Sequence, residues 1–327
     1  MGDQYPLIVI ISNTNDATAD FFQRRLEMHQ VSHVRLDTEY LLAEPVHFAI
    51  GDGRIVTRVS AGHKAVDVNK VTAIYYRRPV TPNTPAGASI GMRRWIANEV
   101  RSAWGGLLAT NPSITWVNHP LAISGAAYKP EQLVRAARMG LNVPETVVTT
   151  DVACATDFCR THSWNVVTKP IGHGEIRAAI EADDRVVYTS ALNDSHERIM
   201  TRVAVCPTLL QRRITKDIDV RVTVVDSECM AVALHSQDSS VSAVDCRRDN
   251  MRDMRYSRLR LPTELEQSVI DYTKSYGLTF SAIDLVRDRE GVYWFLEINP
   301  AGQWAWLEQV ADVPISDALI RCLTHVH

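Results

Sequence analysis

The hydrophobic positions of this 327-residue chain change period several times, and each change predicts an element. Residues 7–11 are an unbroken apolar run, Leu-Ile-Val-Ile-Ile, as in a strand buried on both faces, and residues 17–29 read as a helix. The loop between them, Ser12-Asn-Thr-Asn-Asp16, lacks glycine, so its backbone cannot closely approach a pyrophosphate and the dinucleotide-binding fingerprint is missing. The chain thus opens as a Rossmann-like unit that binds no dinucleotide. Strands are predicted at 34–36, 46–50, 54–59 and 71–76, the last running into Arg77-Arg78-Pro79, where the proline ends it. Residues 81–87 are a loop by composition, and a helix over 92–108 returns the chain before Asn111-Pro112.

The pattern restarts after Asn118-His119-Pro120. Pro130 at a helix start, Glu131 in its first turn, an apolar stripe through Leu133, Val134 and Ala137, then Gly140 and Pro144 mark a short capped helix. A strand at 146–149, a helix at 152–162 and a strand at 164–169 make a small α+β unit. The stretch 175–201 reads as strand-rich. Three strands follow at 207–213, 219–225 and 229–235, then a helix at 264–276 closed by Gly277. Strands at 279–286 and 292–298 are linked by the charged turn 287–291. The fold class is α/β and α+β, divided at 1–118, 119–205 and 206–327.

Composition narrows the function classes. Hydrophobic residues at 46% and charged residues at 22% exclude a mostly disordered or fibrous chain. Lys+Arg 35 against Asp+Glu 38 leaves no overall basic surplus, so no nucleic-acid partner is expected. The longest apolar run is far short of the roughly 20 residues that span a bilayer, and no secretory leader precedes it, so a cytoplasmic protein with no membrane partner is expected. The six cysteines form no CxxC pair, which argues against a zinc site or disulfide framework.

The most specific chemistry lies near the end, in Ile283-Asp284-Leu285 and Phe295-Leu-Glu297-Ile-Asn299-Pro300. Alternation puts Glu297 and Asn299 on one face, and hairpin pairing can bring Asp284 beside them. Three oxygen ligands then converge, as a hard cation such as magnesium requires. A lone carboxylate in strands this apolar is costly to bury, which favours a metal over a solvated hairpin. Lys129 at a helix start and Lys169 before Pro170-Ile-Gly172-His-Gly174 are candidate phosphate contacts, the turn offering backbone N–H groups. Leu209-Leu-Gln211-Arg212-Arg213-Ile214, Asp219-Val-Arg221 and Asp245-Cys-Arg247-Arg248-Asp-Asn250 carry little meaning singly, because such arginines are commonly surface ion pairs.

Their order carries more. From Lys129 to Glu308 the set resembles the ATP-grasp ligases, among them glutathione synthetase and the ribosomal-protein glutamate ligases. The resemblance implies an ATP-grasp fold with a Rossmann-like pre-ATP-grasp domain at 1–118, a central subdomain at 119–205 and a C-terminal subdomain at 206–327 carrying the metal site. It implies ATP and magnesium, two ions, as cofactors, and an acyl phosphate formed on a carboxylate. Lys129, Lys169 and Gly172 would then meet phosphates, and Gln211, Arg212, Arg213 and Ile214 would form the adenine hinge. Asp219 would take the ribose, Arg221 and Arg247 the transferring phosphoryl group, and Asp284, Glu297 and Asn299 the metal. Arg212 departs from the acidic residue many relatives have there, and Asn250 stands one place later than its usual position.

Ile74-Tyr-Tyr-Arg-Arg-Pro79, Val117-Asn-His-Pro120, Thr168-Lys-Pro170 and Glu297-Ile-Asn-Pro-Ala-Gly-Gln-Trp-Ala-Trp-Leu-Glu308 are similar to the graspetide (microviridin-type) peptide maturases, especially their actinobacterial branch. That resemblance implies a ligase joining Asp or Glu side chains of a ribosomal precursor peptide to Ser/Thr hydroxyls or Lys amines. The partner would be that precursor, leader plus acidic core, and the enzyme a homodimer. Either Arg77 or Arg78, which face opposite ways on a strand, would meet the acidic core. Trp304 and Trp306 are either core or channel lining. Glu181, Asp183, Asp184 and Arg185 are a candidate leader surface, and His173 and His235 are candidate bases. The alternatives are an amino-acid or small-peptide ligase and a non-catalytic ATP-binding sensor.

Overall fold

The computed structural model describes residues 6–61, 64–172, 174–176, 185–248 and 253–325. The chain packs as two units, Met1–Ile123 with Gly277–Phe280 and Ala301–His327, and Ser124–Tyr276 with Ser281–Pro300. This differs from a division into three consecutive segments, because residues 301–327 join the first unit rather than the C-terminal subdomain. Among the described residues no helix is long and apolar enough to cross a membrane.

The first unit is built on a parallel sheet in the order His33–Asp37, Leu7–Ser12, Val71–Tyr76, Thr115–Val117. Its central strand is buried on both faces, as the unbroken apolar run requires. The helix Ala17–Met28 begins at Asp16, whose carboxylate accepts from the Thr18 and Ala19 amides. The helix Ile90–Leu108 and a three-stranded antiparallel sheet, Val46–Gly51, Arg54–Ala61 and Lys64–Asp67, complete one core around Ile74, Val59, Trp104 and Leu107.

One buried arginine ties the C-terminal segment into this unit. Arg77 is 3% exposed and donates to Asp16 at 2.8 Å, the Gly302 carbonyl at 3.1 Å and the Gln303 amide oxygen at 3.2 Å. Trp304 is fully buried, with its indole N–H on the Tyr75 hydroxyl at 2.7 Å and the Phe22 ring edge-on to it. Trp304 is therefore core. Arg77 is likewise unavailable to an acidic peptide, whereas Arg78, facing the other way, is exposed.

The second unit holds two antiparallel assemblies. A four-stranded sheet runs in the order Ser190–Ala191, Val166–Lys169, Thr208–Arg212, Thr146–Thr149. A five-stranded sheet runs Tyr256–Leu259, Glu228–Leu234, Lys216–Val225, Phe280–Asp288, Tyr293–Asn299. The helix Lys129–Arg138 lies against the last of these strands, pinned by Gln132, whose amide group donates to the Ile298 carbonyl and accepts from its N–H.

The strand-rich expectation for 175–201 is corrected in part. Glu175–Ile176 pairs with Arg185–Val186 and Ser190–Ala191 joins the four-stranded sheet, but Asp194–Val205 is a 3₁₀ helix. Asn193 and His196 cap it reciprocally, and Met200 and Val203, three apart, turn one face into a core with Ala155 and Leu210. Period three, not two, decides the local structure. Arg185 is exposed on its strand, and Glu181, Asp183 and Asp184 lie outside the described residues.

Burial pushes the Asp16 carboxyl up, but Arg77, Ser12 and the Ala19 amide outweigh it and hold it below the ordinary 3.8. The stabilisation from its ionised form is thus present above 3.8 and is lost as pH falls through the depressed folded-state value. Asp16→Asn, which leaves Arg77 buried without a counter-charge, should cost about 3–5 kcal/mol at neutral pH. Denaturant unfolding of both proteins across the acid range should show the gap closing only below 3.8. No gap at neutral pH would overturn the assignment.

Candidate functional site

The candidate site forms on the hairpin of the second unit. Asp284 pairs directly with Glu297, and Ala282 with Asn299, so the three polar side chains share one face. The register then slips: Leu285 pairs with Phe295, leaving Leu296 as the extra residue of a bulge. Bulges locally increase strand twist and re-aim neighbouring side chains. The Asn299 amide donates to Asp284 Oδ2 at 3.2 Å and to Glu297 Oε1 at 3.4 Å, so the convergence expected of these three residues is present.

Cations surround the pair. Lys129 Nζ is 3.1 Å from Glu297 and donates to the Pro170 carbonyl at 2.7 Å, while Arg221 lies 3.1 Å from Asp284. Burial pushes both carboxyls up. Arg221 only partly offsets this at Asp284, where Glu297 adds to the rise, so Asp284 stays above the usual range. Lys129 and Lys169 reverse it at Glu297, which is held well below. The pair therefore divides its load, Glu297 keeping charge and Asp284 resisting it. Burial in turn pulls the Lys169 ammonium down to about 8, against the attraction of Glu297 and with the repulsion of Lys129.

The donor set suits a hard cation. Four carboxylate oxygens and an amide that can turn its oxygen inward crowd one place, and a divalent ion there would offset the burial and the Glu297 repulsion that together raise Asp284. Among the described residues no cluster of three or more His, Cys, Asp and Glu side chains gathers to hold a metal. The fit for magnesium therefore rests on two carboxylates plus Asn299.

Beyond the acid pair, Gly172 is exposed, and a Cβ added there would meet nothing within 4 Å. Gly174 is different: a Cβ there would stand 2.7 Å from the Val187 carbonyl, and Val187 N–H already donates to Gly174 O at 2.7 Å. Along the hinge, Gln211 is buried with its side-chain amide on Thr146 at 2.8 Å, which makes it a cross-strand tie. Arg212 N–H donates to Glu145 O, and Asn165 takes both the N–H and the carbonyl of Arg213. Among the described residues the Ile214 backbone groups have no hydrogen-bond partner, so this edge is open. The Arg212 guanidinium lies 4.8 Å over the Trp294 ring and 3.5 Å from Glu145, so its side chain is engaged within the protein.

Asp219 is already engaged. Lys216 reaches both its oxygens, at 2.7 and 2.9 Å, and the Ser236 hydroxyl donates to it as well. Lys216 was not singled out in the sequence, where the signal was a lysine on the buried face of a strand, three places before Asp219. Arg247 makes a two-pronged pair with Asp245 and is electrostatically coupled to Lys169 and Glu297. His235 lies against Ser257 and Arg255, and burial with Arg255 lowers its pKa. Among the described residues no hydrogen bond joins it to the acid pair. His173 and Asn250 lie outside the described residues.

Neither a protein-family model nor a curated protein matches the sequence. Solved structures do. A RiPP-associated ATP-grasp ligase of Chryseobacterium gregarium, in complex with ADP and a leader and core peptide, is 23% identical with a TM-score of 0.88, covering 97% of this chain and 96% of its own. The macrocyclase MdnC of Microcystis aeruginosa MRC, bound with precursor peptide MdnA, is 23% identical at a TM-score of 0.83, covering 97% and 99%. D-cycloserine synthetase DcsG is more distant, 14% identical at 0.58, covering 97% and 99%. These likenesses run over almost the whole of each chain, and the fold is that of the ATP-grasp ligases.

Proposed function

We propose that this chain is an ADP-forming ATP-grasp ligase that activates Asp or Glu side chains of a ribosomal precursor peptide and joins them to Ser/Thr hydroxyls or Lys amines. The observation that carries the reading is the facing pair Asp284 and Glu297, set among Lys129, Lys169, Arg221 and Arg247. A peptide substrate is supported by the similar ligases of known structure, several of which were solved with precursor peptides. ADP and magnesium accompany a minimal precursor in one PsnB complex.

A carboxylate is a poor electrophile because oxide is its leaving group, and phosphorylation supplies a better one. The chain's own contribution is positioned charge: Lys129 and Lys169 on the phosphates, Arg247 on the transferring group, Arg221 near the carbonyl oxygen as the adduct collapses. Magnesium held by Asp284, Glu297 and Asn299 would neutralise phosphate oxygens during transfer. The Ile214 edge would seat adenine and Asp219 the ribose, with Lys216 holding the Asp219 carboxylate in place. Precursor recognition would use a leader held apart from the acidic core, which raises the effective concentration of the core at the site.

The direct experiment is incubation with a candidate precursor, ATP and magnesium, followed by mass spectrometry. Loss of one water per crosslink is expected. ATP turnover with free amino acids and none with peptide would instead favour a small-molecule ligase.

The acid-pair role predicts that Glu297→Gln and Asp284→Asn each abolish ATP turnover while circular dichroism and melting stay near wild type, since each removes a ligand charge. Turnover near the wild-type rate in both, at saturating magnesium, would sink the metal assignment. Arg247→Ala should lower kcat by roughly 10²–10³ with little change in nucleotide affinity, the range for one preorganised donor. A fall in affinity at constant kcat would make Arg247 a ground-state binder.

A further inference from the structure

Arg247 is 56% exposed in its side chain, and a long exposed arginine ordinarily samples many rotamers. This one is held from two sides. Asp245, 6% exposed, accepts from Arg247 Nε at 2.9 Å, Nη2 at 2.6 Å and the Arg247 backbone N–H at 3.1 Å. The same carboxylate accepts from the Thr189 N–H at 2.9 Å, so it joins the arginine segment to the residues that lead into the strand Ser190–Ala191. Arg248 adds a second tie, donating to the Thr189 carbonyl at 3.1 Å and the Ser190 hydroxyl at 2.8 Å. The Tyr188 ring lies beneath both guanidinia, 5.7 Å from Arg247 and 5.5 Å from Arg248.

A guanidinium has two usable edges. Asp245 occupies the one formed by Nε and Nη2, which leaves Nη1 and the second Nη2 proton turned outward. Arg247 attracts Glu297 and repels Lys169, so its charge is felt at the acid pair. The hold does not switch with pH in the working range. Burial opposes the Asp245 charge, but Arg247 and the Thr189 amide hold its pKa down at about 2.

The segment that carries Tyr188 and Thr189, between the strands Arg185–Val186 and Ser190–Ala191, begins at Val187, which closes on Gly174 where no side chain fits. One short segment thus touches the glycine turn at one end and the arginine segment at the other.

We propose that Asp245 and Tyr188 are positioning residues for Arg247: Asp245 fixes one guanidinium edge so that the other faces the reacting group, and the Tyr188 ring supports it from below. The proposal rests on the ligase reading above. Neither residue need touch substrate, and both would act through Arg247.

The test is a double-mutant cycle on ATP turnover in the full-length protein, with kcat and the KM for ATP read separately. Asp245→Asn should lower kcat roughly 10- to 100-fold, the scale for losing an orienting partner, with KM nearly unchanged. In an Arg247→Ala background the same change should have little further effect, because its only route is already gone. Tyr188→Leu should lower kcat, and Tyr188→Phe, which keeps the ring face, should recover most of the loss. Equal losses from Asp245→Asn in both backgrounds, with melting unchanged, would overturn the proposal. If Asp245→Asn does not fold, the Tyr188 pair run in both backgrounds decides in the same way. Absence of peptide crosslinking by the wild type would overturn the macrocyclase reading alone, since the cycle is read on ADP release.

Discussion

Two carboxylates directly opposed across a strand pair cannot both stay ionised in a half-buried place unless cations are brought to them. Asp284 and Glu297 are so placed, and much of the second unit serves that need. Lys129 comes from the start of a helix, Lys169 from the end of one strand, Arg221 from the middle of another. Each is supplied by a different element, so the site exists only when the two sheets of this unit have formed. The compensation is also uneven. Two lysines favour the charge of Glu297, while Asp284 has one arginine and keeps a raised pKa.

Under the proposed function, that unevenness would favour a divalent ion. A carboxyl that resists ionisation beside a like charge gains most when a cation arrives, and the hairpin bulge beside it turns the side chains to one face. Lys169, pulled toward neutrality by its surroundings, would under the same proposal gain similarly from the negative charge of a phosphate. Gln132 supports the arrangement mechanically by holding both backbone groups of Ile298, between Glu297 and Asn299.

The first unit uses buried charge differently. Arg77 and Asp16 are each almost wholly enclosed and each fully partnered, with Ser12, Gly302 and Gln303 completing the set. This is an anchor for the C-terminal segment rather than a binding device. Adjacent residues on one strand end therefore have opposite fates, Arg77 sealed in the core and Arg78 facing solvent.

Period and punctuation made most elements legible in the sequence. The buried run at Leu7, the helix after Asp16, the hairpin with Asp284 opposite Glu297, and the helix ended by Gly277, at φ +69°, follow from local spacing and from residues with narrow conformational preferences. The acid pair was visible because carboxylates in apolar strands are costly without a reason. Partnership was not visible. That Asn165 occupies Arg213, that Asp245 also takes the Thr189 N–H and that Trp304 joins Tyr75 all depend on which distant segments meet. A sequence fixes which groups can donate, accept or carry charge along the chain. Only the packed chain decides which of them are spent on one another and which remain open, because hydrogen bonds and ion pairs act over a few ångströms in space regardless of separation in sequence.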